Sequence, residues 1–199
     1  MTLRSIQGEA DRPIATQLLH GEAVETTVVF IDIVDFTSMA EHVPPEEVVA
    51  DLNDFFELVI PAIEAEGGHA NKLLGDGLMA VFGIPNPLPD HADRALSAAR
   101  EVADRVADRY QGALRVGIGL NSGTVVAGSM GGGSKLDYTV IGDVVNVAAR
   151  VEALTRQSGD AILVTEATRR LLADGTGRLK ERGSTPVKGR REEIAVYAC

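Results

Sequence analysis

The sequence predicts an α+β fold, a ferredoxin-like βαββαβ core with a C-terminal α/β extension, and three observations predict it. β-Branched apolar runs and stretches of helical periodicity follow one another as strand, helix, strand, strand, helix, strand between residues 27 and 127. The glycine-flanked turn Gly75-Asp-Gly77 joins two short apolar segments as a hairpin does. A helix, a strand, a short helix and a closing strand pair then fit between residues 143 and 197.

In order, Thr27-Val-Val-Phe-Ile-Asp-Ile-Val34 is β-branched and too short for a helix, so it is a buried strand. Pro44-Pro-Glu-Glu47 starts a helix, with proline and acids in the first turn, and Val48, Leu52, Phe55, Val59 and Ile63 recur at helical spacing until Gly67-Gly68. His69 to Leu74 and Leu78 to Phe82 form the hairpin, which puts Asp76 exposed at its tip. Asp90 caps the next helix, whose Ala95, Leu96, Ala99, Val102, Ala103 and Val106 make the apolar stripe. Leu114 to Leu120 and Thr124 to Ala127 alternate as strands around a turn at Asn121-Ser-Gly123. Gly128 to Ser134 is a glycine-rich hairpin tip without the Gly-Lys-Ser/Thr ending of a phosphate-binding loop. Gly142-Asp143 opens a helix from Val144 to Leu154, followed by a strand at Ala161 to Val164, a helix at Glu166 to Leu172 and strands at Arg178 to Glu181 and Glu193 to Tyr197.

The 199 residues suit one domain whose core needs neither disulfide nor structural metal, and a hydrophobic share of 45% is that of a globular protein. A net charge of −10 argues against a nucleic-acid footprint and against purely electrostatic capture of a polyphosphate without metal cations, so metal dependence fits. The lone Cys199 cannot staple the fold, so a reducing, cytoplasmic setting is expected. No run approaches the roughly 18 apolar residues of a membrane span, and no signal-peptide core is seen. A soluble chain is expected, alone or as a domain of a larger or membrane-attached protein. Residues 1–23 are polar and interrupted by Gly8, Pro13 and Gly21, which reads as a tail or linker remnant before a domain at 24–199.

Chemistry concentrates on Asp32, at the end of the first strand, and Asp76, at the hairpin tip. Each alone has an ordinary role as a cap or a turn residue. Brought together by folding, they form the kind of pair that holds Mg²⁺ against a nucleoside triphosphate. On the helix after Gly142, Asn146 and Arg150 are four apart and share one side, while Val147, Val151 and Leu154 face the core.

Phe30-Ile-Asp-Ile-Val-Asp-Phe-Thr37, Lys72-Leu-Leu-Gly-Asp76, Leu114-Arg-Val-Gly-Ile-Gly119, Tyr138-Thr-Val-Ile-Gly-Asp-Val-Val-Asn-Val-Ala-Ala-Arg150 and Val187-Lys-Gly-Arg190 occur in this order. The set resembles the catalytic domain of class III nucleotidyl cyclases, from about Thr27 to the C-terminus. One departure is Asp35, where that family usually has glycine. The resemblance implies the class III cyclase catalytic fold and an adenylate cyclase that converts ATP to 3′,5′-cyclic AMP and pyrophosphate in intracellular signalling. It implies two divalent ions, Mg²⁺ or Mn²⁺, with Asp32, Ile33 and Asp76 as metal ligands. Backbone amides of Ile33, Val34, Asp35, Phe36 and Thr37 are expected to cradle phosphate, with Arg115 and Lys188 on the terminal phosphates and Arg190 as a helper. Asn146 corresponds to the residue that orients the ribose, and Arg150 to the one that stabilises transition-state charge.

For the base, Lys72 donates only, which suits adenine N1, and the Thr139 hydroxyl can accept from the 6-amino group. Guanylyl members typically carry glutamate and cysteine or similar at these positions, so ATP is favoured. Threonine resembles the subgroup designated IIIb, some members of which respond to bicarbonate. A hydroxyl also donates, which keeps a guanylate or dual-specificity cyclase as an alternative. In the family the active site lies between two domains, and one chain carrying both halves implies a head-to-tail homodimer, with the hairpin at Gly128 to Tyr138 as an arm toward the partner. A catalytically silent, dimerising regulatory domain is the alternative from another class. A diguanylate cyclase relative is disfavoured because the Gly-Gly-Asp/Glu-Glu-Phe signature is missing.

Overall fold

The computed structural model describes residues 21–41, 43–132, 135–173, 179–186 and 193–199. The strands are β1 (Glu22–Ile33), β2 (His69–Leu73), β3 (Gly77–Phe82), β4 (Val116–Gly132), β5 (Lys135–Ile141), β6 (Ile162–Thr165), β7 (Lys180–Pro186) and β8 (Glu193–Ala198). The helices are α1 (Phe36–Ala40), α2 (Pro45–Ala65), α3 (His91–Tyr110), α4 (Asp143–Ser158) and α5 (Glu166–Arg169). One sheet runs β2-β3-β1-β4-β6-β8-β7, with β5 paired to β4 off that path. The first four strands and α2 and α3 are the expected βαββαβ core. β6, β8 and β7 extend the sheet beyond β4, which β6 joins in parallel.

Alternation along β1 divides the molecule into layers. Val29, Ile31 and Ile33 pack on one face with Phe55, Val59 and Ile63 of α2 and Ala95, Ala99 and Val102 of α3. Val28 packs on the other face with Met79, Val125 and Ala148 of α4. Farther along that face, Val147 and Val151 of α4 meet Leu163, Val196 and Ala198. α4 is seated directly on β4 because two alternate strand positions are glycine. A Cβ at Gly119 would lie 2.1 Å from the Glu152 backbone nitrogen, and one at Gly117 would lie 2.2 Å from Thr155 Oγ1. Among the described residues no helix is long and apolar enough to cross a membrane.

Local expectations change at several points, and the helix expected at Glu166 to Leu172 and the strand expected at Arg178 to Glu181 become Glu166–Arg169 and Lys180–Pro186. Asn121-Ser-Gly123 is not a turn, since these residues sit inside β4 and pair with Val28, Thr27 and Thr26 of β1. Their polar groups are satisfied within the protein. Asn121 Nδ2 donates to the Val144 carbonyl at 3.0 Å, and Asn121 Oδ1 accepts from Thr165 Oγ1 at 2.8 Å. Ser122 Oγ lies 2.7 Å from Thr27 Oγ1, which is itself 2.7 Å from His91 Nδ1. Asp90 occupies the N-cap position of α3 but makes no side-chain cap, because its carboxylate accepts from Arg94 Nε at 2.8 Å, one turn on. α4 runs one turn past Leu154 to Ser158, where Gly159 closes it in the left-handed conformation. The expected hairpin at 128–138 is formed by β4 and β5, and residues 133 and 134 lie outside the described ones.

Gly119→Ala is expected to destabilise the fold by at least about 1–3 kcal/mol, the cost of overpacking, since backbone must move to admit the methyl group. Urea unfolding measures this, and an unchanged midpoint would refute the seating described. His91 supplies a test by pH. Burial lowers the pKa of this imidazole, against opposing pulls from Glu25, Asp90 and Asp93. The unfolded chain takes up the proton near pH 6.5 while the folded one resists it, so this contribution is complete above about pH 6.5 and lost as pH falls toward the folded pKa. His91→Asn should flatten the fall in urea midpoint between about pH 7 and 5.5. Equal slopes in the two proteins would count against it.

Candidate active site

Asp32 is the penultimate residue of β1 and stands between two glycines, paired with Gly77 of β3 on one side and Gly117 of β4 on the other. Cross-strand partners share a face, so the missing side chains leave room for the carboxylate on the α4 side. A Cβ at Gly77 would come within 2.5 Å of Asp32 Oδ1. Asp76, immediately before Gly77, is half-buried rather than exposed at the tip as expected, because the hairpin folds back against the end of β1.

Two residues not singled out in the sequence complete this cluster. Glu152, buried on α4, and Arg156, one turn further on, reach Asp32 across the gap left by Gly117. Arg156 Nη2 donates to Asp32 Oδ2, and Arg156 Nη1 donates to Glu152 Oε1 at 2.6 Å. Burial and the Asp76 carboxylate lift the pKa of Asp32 above the ordinary range, while Arg156 and the Ile33 backbone N–H act against the rise. Glu152 is likewise raised by burial, with Arg156 opposing and Asp32 and Asp76 adding to it. Three carboxylates, those of Asp32, Asp76 and Glu152, thus act on one another around the guanidinium of Arg156. Among the described residues no group of three or more His, Cys, Asp or Glu is placed to hold a metal ion. A cation here would need oxygens beyond Asp32 and Asp76, as hard ions that keep water and phosphate ligands do.

The chain leaves β1 through a turn in which Asp35 adopts φ 60° and ψ 24°, the left-handed region. Glycine is the residue best suited to that conformation, and aspartate is among the few others that tolerate it, so the departure at Asp35 keeps the turn. Of the amides expected to face phosphate, that of Val34 donates to the Arg115 carbonyl at 2.9 Å and so ties β1 to the start of β4. Val34, Asp35, Arg115 and Arg156 line a common cavity of about 250 Å³, with the exposed Arg115 at its side.

Of the base-reading candidates, Thr139 is tied to β2, the strand that carries Lys72, through Asn71. Lys72 on β2 is exposed, and Thr139 on β5 lies opposite Gly128. Asn71 sits at an irregularity in the β2–β3 register. Its Nδ2 donates to the Tyr138 carbonyl at 3.1 Å, and its Oδ1 accepts from Thr139 Oγ1 at 3.4 Å. The sequence signal for Asn71 was its place beside Lys72 in the short segment that leads to Gly75. Asn146 is exposed on the first half of α4, and Arg150 is half-buried one turn on. Lys188 and Arg190 lie outside the described residues.

Solved structures similar to this one include nucleotidyl cyclases. The adenylyl cyclase CyaB from P. aeruginosa matches with a TM-score of 0.79 at 28% identity, over 90% of this chain and 95% of that one. The guanylyl cyclase Cya2 matches with a TM-score of 0.74 at 30% identity, over 89% and 92%. The chain belongs to the adenylate and guanylate cyclase catalytic domain family, whose model matches residues 20–199. A curated relative, the adenylate cyclase of Anabaena cylindrica, is 40% identical over 185 residues, covering 86% of this chain and 36% of that protein. The chain spans 27% to 36% of the length of the curated relatives it matches.

Proposed function

We propose that this chain is the catalytic unit of an adenylate cyclase that turns ATP into 3′,5′-cyclic AMP and pyrophosphate at an interface between two head-to-tail copies. The observation that carries the reading is the placing of Asp32 close enough to Asp76 for each carboxylate to act on the other, within a chain of this family. The donor set suits Mg²⁺ or Mn²⁺, which are oxygen-seeking, with Asp32, Ile33 and Asp76 as the protein ligands. When bound, two such ions neutralise the triphosphate and lower the pKa of the ribose 3′-hydroxyl. Arg115 and Lys188 hold the terminal phosphates, and amides of the turn from Asp35 to Thr37 meet phosphate oxygens, while the expected part of the Val34 amide is given up because it donates to the Arg115 carbonyl. Asn146 orients the ribose, and the guanidinium of Arg150 meets the charge that builds as the 3′-oxygen bonds to the α-phosphorus and the bond to pyrophosphate breaks. Cytoplasmic signalling is the setting this reaction fits.

The choice of ATP is supported by how the Thr139 hydroxyl is oriented. Asn71 Nδ2 points at a carbonyl, so its Oδ1 is the end presented to Thr139 and can only accept. Thr139 must then donate to Asn71, which leaves its oxygen lone pairs for an amino group such as that of adenine. Lys72 supplies the matching donor for N1. Guanine inverts both demands, yet Cya2 shows that this fold serves GTP elsewhere, so the discrimination rests on these side chains. Incubation with ATP or GTP and chromatography of the products tests the activity, and absence of any cyclic mononucleotide would refute it. Asn71→Leu should lower the ATP-to-GTP ratio of kcat/KM by about fivefold, the worth of a hydrogen bond near 1 kcal/mol, by freeing Thr139 to donate. A ratio that stays put would show that the base is read elsewhere.

Shared sites have their own test. Asp32→Ala and Arg150→Ala homodimers should each be nearly inactive, because each lacks one essential part in both sites. A mixed dimer concentrates both lesions in one site and leaves the other whole, so up to about half the wild-type activity should return. No recovery under conditions shown to exchange subunits would mean that each site is built from one chain or that the two cannot work independently.

A further inference from the structure

Asp32 Oδ2, an oxygen wanted for metal in the reading above, is held by Arg156, whose positive charge opposes a cation at the same carboxylate. The same guanidinium has a second anchor one turn back on its own helix, in Glu152 Oε1 at 2.6 Å. Glu152 is buried and its place is fixed by the close seating of α4 over Gly117 and Gly119. Arg156, by contrast, is about a third exposed and sits in the last turn of α4 beside the cavity that reaches Arg115. One partner of the guanidinium is therefore fixed on its own helix, and the other belongs to a different element and is wanted for metal.

We propose that Arg156 is a built-in counter-ion for the metal-free site, which holds Asp32 until a divalent cation arrives and then rests on Glu152 alone, so that it sets the cation concentration at which the site fills. The inference rests on Asp32 being a metal ligand, as proposed above. Arg156 is here a positioning residue, since it acts through Asp32. Glu152 is the resting place of the displaced guanidinium, which accounts for a buried carboxylate near the metal ligands that need not bind metal itself. A guanidinium suits the role because its fork binds both carboxylates at once and keeps one when the other leaves.

The test uses Mn²⁺ alone, with nucleotide-free protein and free Mn²⁺ measured by electron paramagnetic resonance. Arg156→Gln should bind Mn²⁺ about two- to tenfold more tightly than wild type, the scale of a partly exposed ion pair that no longer competes. Glu152→Gln should weaken binding, because Arg156 then has only Asp32, and that effect should shrink when Arg156→Gln is also present. If Arg156→Gln proves unstable, Arg156→Lys, which keeps the charge but loses the fork, should fall between it and wild type. Mn²⁺ binding that Asp32→Asn leaves unchanged overturns the metal assignment and this role together. Binding that depends on Asp32 but is unaltered or weaker in Arg156→Gln, or a Glu152→Gln effect of equal size with and without Arg156, overturns the role of Arg156 and leaves the metal assignment standing.

Discussion

The contact between α4 and the bare backbone of β4 governs the rest of the site. With no side chains at Gly117 and Gly119, the helix comes so close that a single methyl group would strike the backbone of Glu152. That approach fixes where every residue of α4 stands relative to β1. Asp32, directly across from Gly117, therefore meets Glu152 and Arg156, while Asn146 and Arg150 stay on the preceding turns of the same rigid element. Any side chain at 117 or 119 would lift the helix and separate the carboxylate from its ion pair. Packing in this place is thus a condition for the electrostatics.

The same strand also carries the polar groups that tie the layers together. Thr27, Ser122 and His91 link β1 and β4 to α3, and Asn121 reaches the Val144 carbonyl in the first turn of α4. Buried hydrogen bonds of this kind contribute little net stability, about 1 kcal/mol each, but a missing partner costs more than the bond gains. Their effect is to exclude other registers. Sliding β4 by one residue would turn Asn121 and Ser122 to opposite faces and leave each without partners. The pairing of Asp32 with both glycines depends on that register, so the network protects the site from a distance.

Much of this was legible in the sequence, and the exceptions share a cause. Strand and helix order, the core stripes of α2 and α3 and the hairpin between β2 and β3 follow from periodicity and glycine placement, which are local signals. Asn121-Ser-Gly123 misled because polar residues and glycine mark turns when their partners are water, whereas here the partners are Thr165, Thr27 and the Val144 carbonyl. The last turn of α4 has no apolar residue to announce it, so Arg156 was out of view until the helix was seen to continue to Gly159. Asn71 reads as a polar residue beside Lys72, and only the approach of β5 shows what its amide is aimed at. Motifs singled out Asp32 and Asp76 by residue type and spacing, and the fold brings the two carboxylates near each other. Their supporting residues are chosen by geometry, which a linear pattern does not contain.

The distribution of charge gives a physical reason for an arginine in the last turn of α4. The chain as a whole carries −10, and the corner at Asp32 concentrates carboxylates from three separate elements. Such a corner is unfavourable in isolation, as the raised pKa of Asp32 and of Glu152 both indicate. A helix that places an arginine there relieves the repulsion without adding a ligand, and it does so from the turn farthest from Asn146. The carboxylate corner is thus served from one end of α4, while Asn146 and Arg150 stand toward the other. Because α4 is held rigidly over β4, a change at one end need not disturb the other: the guanidinium of Arg156 can shift by side-chain rotation while Asn146 and Arg150 keep their places on the backbone.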